Sequence, residues 1–279
     1  MTNSIILNSS NIVNYTGNSQ LEYKFPTSVR FEKGAKIALS NISLFYSWFN
    51  FTSSNNNLSL SYKWIDGNSY TIQIESGFYD VSALNSFIQS KMISNKHYMI
   101  DGSSQYVYFI EIVENKNKYA VQLNLYTVPT SAEASSLGWT KPAGASWSFP
   151  TSDTTPQVIF DSNINANLGF NKNIYYPSSP ASSTVSFLSS TTPQITSVNS
   201  MILTCNLLNS SFASPNNILH TFSFGNAGFG DSIDVTPTTP TFLTISEGVY
   251  SSIKLQFFSG DLNPVEILDP SMVLMLVIQ

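Results

Sequence analysis

Between residues 57 and 75 the chain alternates apolar and polar side chains one by one. Leu58, Leu60, Tyr62 and Trp64 interleave with Asn57, Ser59, Ser61 and Lys63. After Asp66, Gly67 and Asn68 the pattern resumes as Tyr70, Ile72 and Ile74 against Thr71, Gln73 and Glu75. Successive side chains of a strand point to opposite faces, whereas a helix repeats every 3.6 residues, so a strict period of two admits only a β-hairpin with one wet face. A second hairpin pairs Gln105 to Val113 with Lys118 to Tyr126 across Glu114, Asn115, Lys116 and Asn117. Its return strand places Tyr119, Val121, Leu123 and Leu125 inward, and its outgoing strand, apolar on both parities, is expected to be the more central. From Lys36 to Phe51 the apolar positions switch from odd (Ile37, Leu39) to even (Ile42, Leu44, Tyr46, Trp48), which means either a break between two strands or, the favoured reading, a β-bulge near Ser40 and Asn41.

Further strands are expected near 21–25, 157–161, 200–208, 217–224, 241–246, 250–258 and 271–278, the last apolar enough (Met272 to Ile278) to be buried on both faces. The polar share of the chain comes mainly from 46 Ser and 28 Asn, which favour turns and strand rims over helix interiors. One segment breaks the pattern. Asp80 is placed to cap a helix over about 80–93 whose stripe is Val81, Leu84, Phe87, Ile88 and Met92. Seven of the 13 prolines fall between Pro129 and Pro193, amid Ser and Thr and the aromatics Trp139, Trp147 and Phe149, and this region reads as a long loop excursion of the same domain. The reading is thus an all-β, antiparallel sandwich of about ten strands in a single domain over 1–279, with 1–20 as a candidate N-terminal arm.

Composition and motifs exclude most chemistry. A charge of −5 with a single arginine, Arg30, offers no basic stripe for nucleic acid. One cysteine, Cys205, excludes an internal disulfide framework and a multi-cysteine zinc site, and reads as a buried small hydrophobe. The two histidines, His97 and His220, lie in no hydrolase or metalloprotease motif, and a structural or surface histidine is the better reading of both. Gly225 to Gly230 has the glycines of a phosphate loop in the wrong spacing and reads as a turn. Asp161 to Gly169 begins like a calcium loop, but Ala166 and Lys172 stand where Gly and Glu are required. The carboxylates Asp231 and Asp234, and Asp261, Glu266 and Asp269, fall in turns where solvated acids explain them. Six N-x-[ST] sequons start at Asn8, Asn14, Asn41, Asn50, Asn57 and Asn209. Since 28 Asn and 68 Ser+Thr in 279 residues predict about seven by chance, they carry no glycosylation signal. The N-terminus has no basic n-region and only a three-residue apolar run, so folding in the cytosol is expected, and no apolar run approaches the length of a membrane span. No cofactor, metal or catalytic residue is assigned, and no enzyme activity is expected. With only 10% of residues charged, the polar surface can be buried between subunits at modest desolvation cost.

A resemblance adds to this reading. The stretch Ile37-Ala38-Leu39-Ser40-Asn41-Ile42-Ser43-Leu44-Phe45-Tyr46-Ser47-Trp48-Phe49-Asn50, then Asn55-Asn56-Asn57, the Trp64 strand, and Ile74-Glu75-Ser76-Gly77-Phe78-Tyr79-Asp80-Val81 into Leu84, Asn85 and Ile88 resembles the N-terminal half of the penton (minor capsid) proteins of virophages and polinton-type double-stranded DNA viruses. Asn167-Leu168-Gly169-Phe170, Ser197 to Leu208, and Thr244-Ile245-Ser246-Glu247-Gly248-Val249-Tyr250 through Ile253, Leu255, Pro264, Leu268, Asp269 and Val273 to Ile278 are similar to the same group's closing pattern. The resemblance implies a jelly-roll protein, made in the host cytoplasm, that forms a homopentamer at the five-fold vertices of an icosahedral virion beside a double-jelly-roll major capsid protein. It transfers no catalytic residue, assigns no interface residue, and is weakest over 129–193. The alternative is a virion spike or receptor-binding module that uses exposed aromatics, Trp139 and Trp147 among them, to bind glycans.

Overall fold

The computed structural model describes residues 2–13, 17–196 and 198–279. Where the sequence reading expects one domain, the contacts gather into two compact units, Met1–Trp48 with Val198–Gln279, and Phe49–Ser197. Before the break lie β1 (Asn3–Asn8), β2 (Gln20–Phe31) and β3 (Lys36–Phe45). The second unit holds β4 (Ser59–Lys63), β5 (Ser69–Gln73), α1 (Val81–Ser94), β6 (Met99–Ile100), β7 (Tyr106–Val107), β8 (Ile110–Asn115), β9 (Ala120–Leu125), α2 (Ser131–Leu137), β10 (Gln157–Ile159), α3 (Ile164–Leu168), β11 (Tyr175–Tyr176) and β12 (Val185–Leu188). The first unit then resumes with β13 (Ser200–Cys205), β14 (Ile218–Ser223), β15 (Ser232–Val235), β16 (Leu243–Thr244), β17 (Gly248–Ser259) and β18 (Val273–Ile278).

The first unit is a jelly roll. One sheet runs β1-β18-β3-β15, with β16 pairing the start of β3, and the other runs β2-β17-β13-β14. Lettering β1, β2, β3, β13, β14, β15, β17 and β18 as B to I in chain order turns these into B-I-D-G and C-H-E-F, the two four-stranded sheets of the fold. The inward face of the first sheet carries Leu7, Ile37, Leu39, Ile42, Leu44, Leu274, Leu276 and Ile278, and that of the second Leu21, Met201, Leu203, Cys205, Leu255 and Phe257, all buried. At roughly 25 cal/mol per Å² of apolar surface, these faces supply most of what holds the unit together. The bulge foreseen near Ser40 is present: Asn41 pairs Met275 and Leu39 pairs Leu276, so Ser40 is the extra residue that lets Ile37, Leu39, Ile42 and Leu44 share one face. Within the expected arm over 1–20, Asn3–Asn8 is a sheet strand, because β1 pairs β18 in register from Asn3↔Ile278 to Asn8↔Val273. Nor is the last strand buried on both faces: Val273 is 45% exposed while Leu274 is fully buried.

The second unit packs the sheets β11-β10-β4-β5 and β12-β9-β8 with α1 about one core. The first hairpin forms as expected, with Leu60↔Ile72 and Tyr62↔Tyr70 as cross-strand pairs. The Asp80 carboxylate accepts from the Ala83 amide at 2.6 Å, capping α1, whose Val81, Leu84, Ile88 and Met92 are buried. In the second hairpin Asn115 pairs Ala120, which pushes Tyr119 into the turn at φ +50° and leaves it 75% exposed rather than inward. Strand β9, not β8, is central, because β12 from the proline-rich region adds to its far side. That region is therefore not a structureless excursion. It carries α2, α3, β10, β11 and β12, and buries Ala134, Trp147, Val158, Phe160, Ile164, Leu168 and Phe170. Its prolines space short apolar runs that suffice for strands of two to four residues. Helix α2 opens on a reciprocal cap between Thr130 and Glu133, a T-x-x-E signature legible in the chain.

Three buried asparagines close the unit. Asn50 donates from Nδ2 to the Tyr79 and Ile195 carbonyls, both at 2.8 Å, and accepts from the Tyr79 amide at 2.9 Å. Asn57 donates to the Asn50 carbonyl and to Asn167 Oδ1 and accepts from the Thr52 amide, while Asn167 donates to the Gln194 carbonyl. Next to them Gly169 takes φ +79° at the end of α3, where a Cβ would collide with the Thr191 carbonyl oxygen. Removing one member orphans buried polar groups, which costs about 1–3 kcal/mol for each. Asn50→Ala is expected to lower the stability of the chain by about 3 kcal/mol, read as a drop in the urea midpoint. A loss under about 0.5 kcal/mol would show that the network is incidental.

Candidate interaction surfaces

The residues that sequence reading weighed for chemistry are dispersed. His97 is 2% exposed and its Nδ1 lies 2.7 Å from the Tyr62 hydroxyl, whereas His220 sits half-buried on β14 with its ring over Phe222. Burial lowers the pKa of both, that of His97 to about 4. Cys205 is buried on β13 and its thiol is pushed up to about 12 by desolvation, so it is no nucleophile at neutral pH. Among the described residues no three His, Cys, Asp or Glu side chains converge as a metal site. Within the calcium-like stretch, Asp161 accepts from Ser61 Oγ at 2.6 Å and Asn163 accepts from Lys172 Nζ at 3.1 Å, while Asn167 belongs to the closing network. Asp231 accepts from the Gly228 amide, closing the turn formed by the Gly225 to Gly230 segment, Asp234 accepts from Ser232 Oγ, and Asp269 accepts from the Ser271 amide. These are turn and edge acids, as expected. No described helix is long and apolar enough to cross a membrane.

The sequons are equally structural. Asn50 and Asn57 are 2% exposed, Asn8 caps a 3-10 turn, Asn41 donates to Thr236 Oγ1, and Asn209 accepts from Asn216. The sequon at Asn14 lies outside the described residues, as does Ser197 at the head of the 197–208 stretch.

Two surfaces stand out instead, one in each unit. In the jelly roll, the outward residues of β1 and β18 make an apolar stripe: Ile6, 54% exposed, opposite Met275, with Val273 and Val277 on either side. Strand β1 ends its sheet, and its sequence Asn-Ser-Ile-Ile-Leu-Asn has no charge, proline or bulge to deter pairing. The second sheet ends on β14, Ile-Leu-His-Thr-Phe-Ser, which is also without Asp, Glu, Lys or Arg, and the connection preceding it holds Phe212 fully in solvent. The other two edges are guarded. Strand β2 carries Glu22, Lys24, Pro26 and Arg30 and an irregular register opposite Tyr250 and Ser252; β15 is four residues long and carries Asp234. Ion pairs at this surface, Arg30 with Glu32 at 2.8 Å and with Glu247 at 3.9 Å, are exposed and contribute at most about 1 kcal/mol.

In the second unit the outward face of β8 and β9 is a polar ladder. Glu111 accepts from Asn124 Nδ2 at 2.9 Å and from the Tyr126 hydroxyl at 2.7 Å, and Asn124 Oδ1 accepts from Gln122 and Ser186. The hydrogen bond to the carboxylate lifts the Tyr126 phenol to about 12. Beyond it Tyr98 and Tyr106 pack at 4.7 Å, with Tyr106 half-exposed. Trp139 and Trp147, which the glycan reading requires in solvent, are turned into the core. Trp139 is partly buried against it; Trp147 is 2% exposed, donates Nε1 to the Lys96 carbonyl at 2.7 Å, and lies under Lys141 Nζ at 5.0 Å. Signals missed in the sequence were the unguarded edge at 3–8 and the T-x-x-E cap.

No protein-family model and no curated protein matches the chain. Among solved structures it is similar to the mavirus penton protein, at 10% identity and a TM-score of 0.47, over 99% of this chain and 97% of that one. It is also similar to a chain in the cryo-EM structure of the Sputnik virophage, at 11% identity and a TM-score of 0.42, over 100% and 96% respectively.

The burial of Trp147 makes a direct prediction. Trp147→Ala is expected to cost about 3–5 kcal/mol by chemical denaturation, as for a core tryptophan. A stable variant that has instead lost binding on a glycan array would restore the sugar-stacking role.

Proposed function

We propose that the chain is a structural protein of a virus capsid, a homopentamer that occupies five-fold vertices and docks to a major capsid protein of the double-jelly-roll type. The observation that carries this reading is the strand order of the first unit, B-I-D-G over C-H-E-F, an architecture shared by capsid proteins, lectins and cupins. Within that class the side chains favour assembly. A cupin site needs metal-ligating side chains gathered inside the roll, and no described residues of this chain gather so. The glycan-binding alternative loses two of its named aromatics, since Trp147 is buried in the second unit's core and Trp139 is partly buried against it. The assembly reading is supported by the sequence resemblance to virophage and polinton pentons, by a surface poor in charge, and by two unguarded edges.

Strands β1 and β14 end different sheets, so the contact β1 offers is not the one β14 offers. A ring needs such a heterologous contact, one side of a subunit against a different side of the next. The jelly-roll edges and the Ile6 stripe are the candidate contacts.

Native mass spectrometry of the purified chain tests the reading, with pentamers expected at micromolar concentration. Ile6→Lys, which puts a charge on the β1 edge and is solvated in the monomer, is expected to leave the fold intact and shift the population to monomers. A wild-type chain that stays monomeric, alone and with coexpressed major capsid protein, would overturn the proposal.

A further inference from the structure

Helix α1 ends in a Schellman cap: the His97 amide donates to the Met92 carbonyl at 2.8 Å, the Lys96 amide to that of Ile93 at 2.9 Å, and Lys96 takes the left-handed φ of +59°. This turn drives the His97 ring into the core. There it lies flat against Trp64, 4.7 Å between ring centres at 8°, with the edge of Tyr70 at 4.5 Å and Tyr62 beyond. The polar contacts have a fixed direction. Asn95 Nδ2 donates to the Tyr62 hydroxyl oxygen at 2.9 Å, and with burial keeping the His97 ring neutral the Tyr62 proton is satisfied at His97 Nδ1, 2.7 Å away.

Three elements meet at this point. Tyr62, Trp64 and Tyr70 come from the β4–β5 hairpin, Asn95 and His97 from the end of α1, and Trp147 from the 141–149 strap, which packs its ring on Trp64 and bonds the Lys96 carbonyl. The charged groups around the ring are few. Asp66, on the hairpin turn, is occupied by Tyr70, whose hydroxyl donates to it at 2.7 Å, and by Asn68. Lys96 Nζ is directed to the Gly144 carbonyl, Lys141 Nζ to the Trp147 carbonyl, and Lys63 Nζ over the Tyr175 ring. A proton on Nδ1 would reverse the chain: Tyr62 would have to accept from both Asn95 and His97, its hydroxyl hydrogen would lose its acceptor, and a cation would sit among aromatic rings. The Trp64 face and the Asp66 charge offset only part of that cost.

We infer that the Asn95–Tyr62–His97 chain is an acid-released latch, at which protonation of His97 parts the hairpin, the end of α1 and the 141–149 strap while the rest of the chain keeps its fold. The direction follows from linkage. Burial holds the folded-state pKa of His97 down at about 4 against 6.5 for a free histidine, so the contribution of the latch is complete above about 6.5 and is lost as pH falls toward 4.

Hydrogen exchange of the full chain by mass spectrometry, at pH 7 and about pH 4.5 with intrinsic rates corrected, tests the latch. Peptides over 62–73, 92–98 and 141–149 should lose protection about tenfold or more at the lower pH, while those over β9 and β18 stay protected. His97→Gln offers an amide oxygen to the Tyr62 hydroxyl and cannot take the proton, so it should keep that protection at both pH values. Unchanged wild-type protection at the lower pH, or equal loss in a folded His97→Gln chain, would overturn the inference. Should His97→Gln not fold, an NMR titration of the wild-type histidine rings, assigned with His220→Gln, decides: opening that tracks a depressed His97 titration supports the latch, and titration near 6.5 without opening overturns it.

Discussion

The side-chain amide of Asn50 is the interaction on which the architecture turns. It sits one residue past the start of the inserted unit and bonds Ile195, two residues before its end, so the network of Asn50, Asn57 and Asn167 ties the chain entering Phe49–Ser197 to the chain leaving it. A jelly roll requires β3 and β13 to follow each other from one sheet to the other. Between them this chain carries roughly 150 residues, whose unconstrained closure would cost about 4 kcal/mol in chain entropy. A unit that folds with its own ends clamped together removes that cost from the jelly roll, and the two packing problems become separate. Each has its own core, its own edges and its own surface.

This division explains where chemistry is missing and where order is found. Buried polar groups in the second unit serve closure: the asparagines, Ser61 against Asp161, and Tyr62 with His97. None of these is arranged about a cleft with a nucleophile beside a base. In the jelly roll the notable features are geometric, two guarded edges and two unguarded ones. A monomeric protein would carry charge or proline on Asn3–Asn8 to stop it pairing with other chains. The lack of both is consistent with a surface that meets a neighbour in a shell.

Much of the fold was legible in the chain because period two is hard to counterfeit. The 59–73 hairpin, the Ser40 bulge, α1 with its Asp80 cap, and the burial of Cys205 follow from alternation, capping and side-chain chemistry. What was not legible depends on partners distant in sequence. Strand β1 is ordinary until β18, some 270 residues away in the chain, supplies its register. Strand β12 is too short to show a period, and exists because β9 presents an open edge to it. The division into two units was hidden for the same reason: the boundary lies at Trp48 within a continuous apolar stretch, and no linker marks it. The candidate interface was half visible. Its lack of charge could be read from composition, but its position on an open edge could not.

If the proposed assembly contacts lie on the jelly-roll unit, the chain should assemble without Phe49–Ser197. The most direct measurement is electron microscopy of a chain in which Phe49–Ser197 is replaced by a short Gly/Ser linker, beside the intact protein. The account predicts five-fold rings from both, with less mass per subunit in the excised form. Five-fold rings from the intact chain with folded monomers from the excised one would place the contacts in the insertion and contradict it.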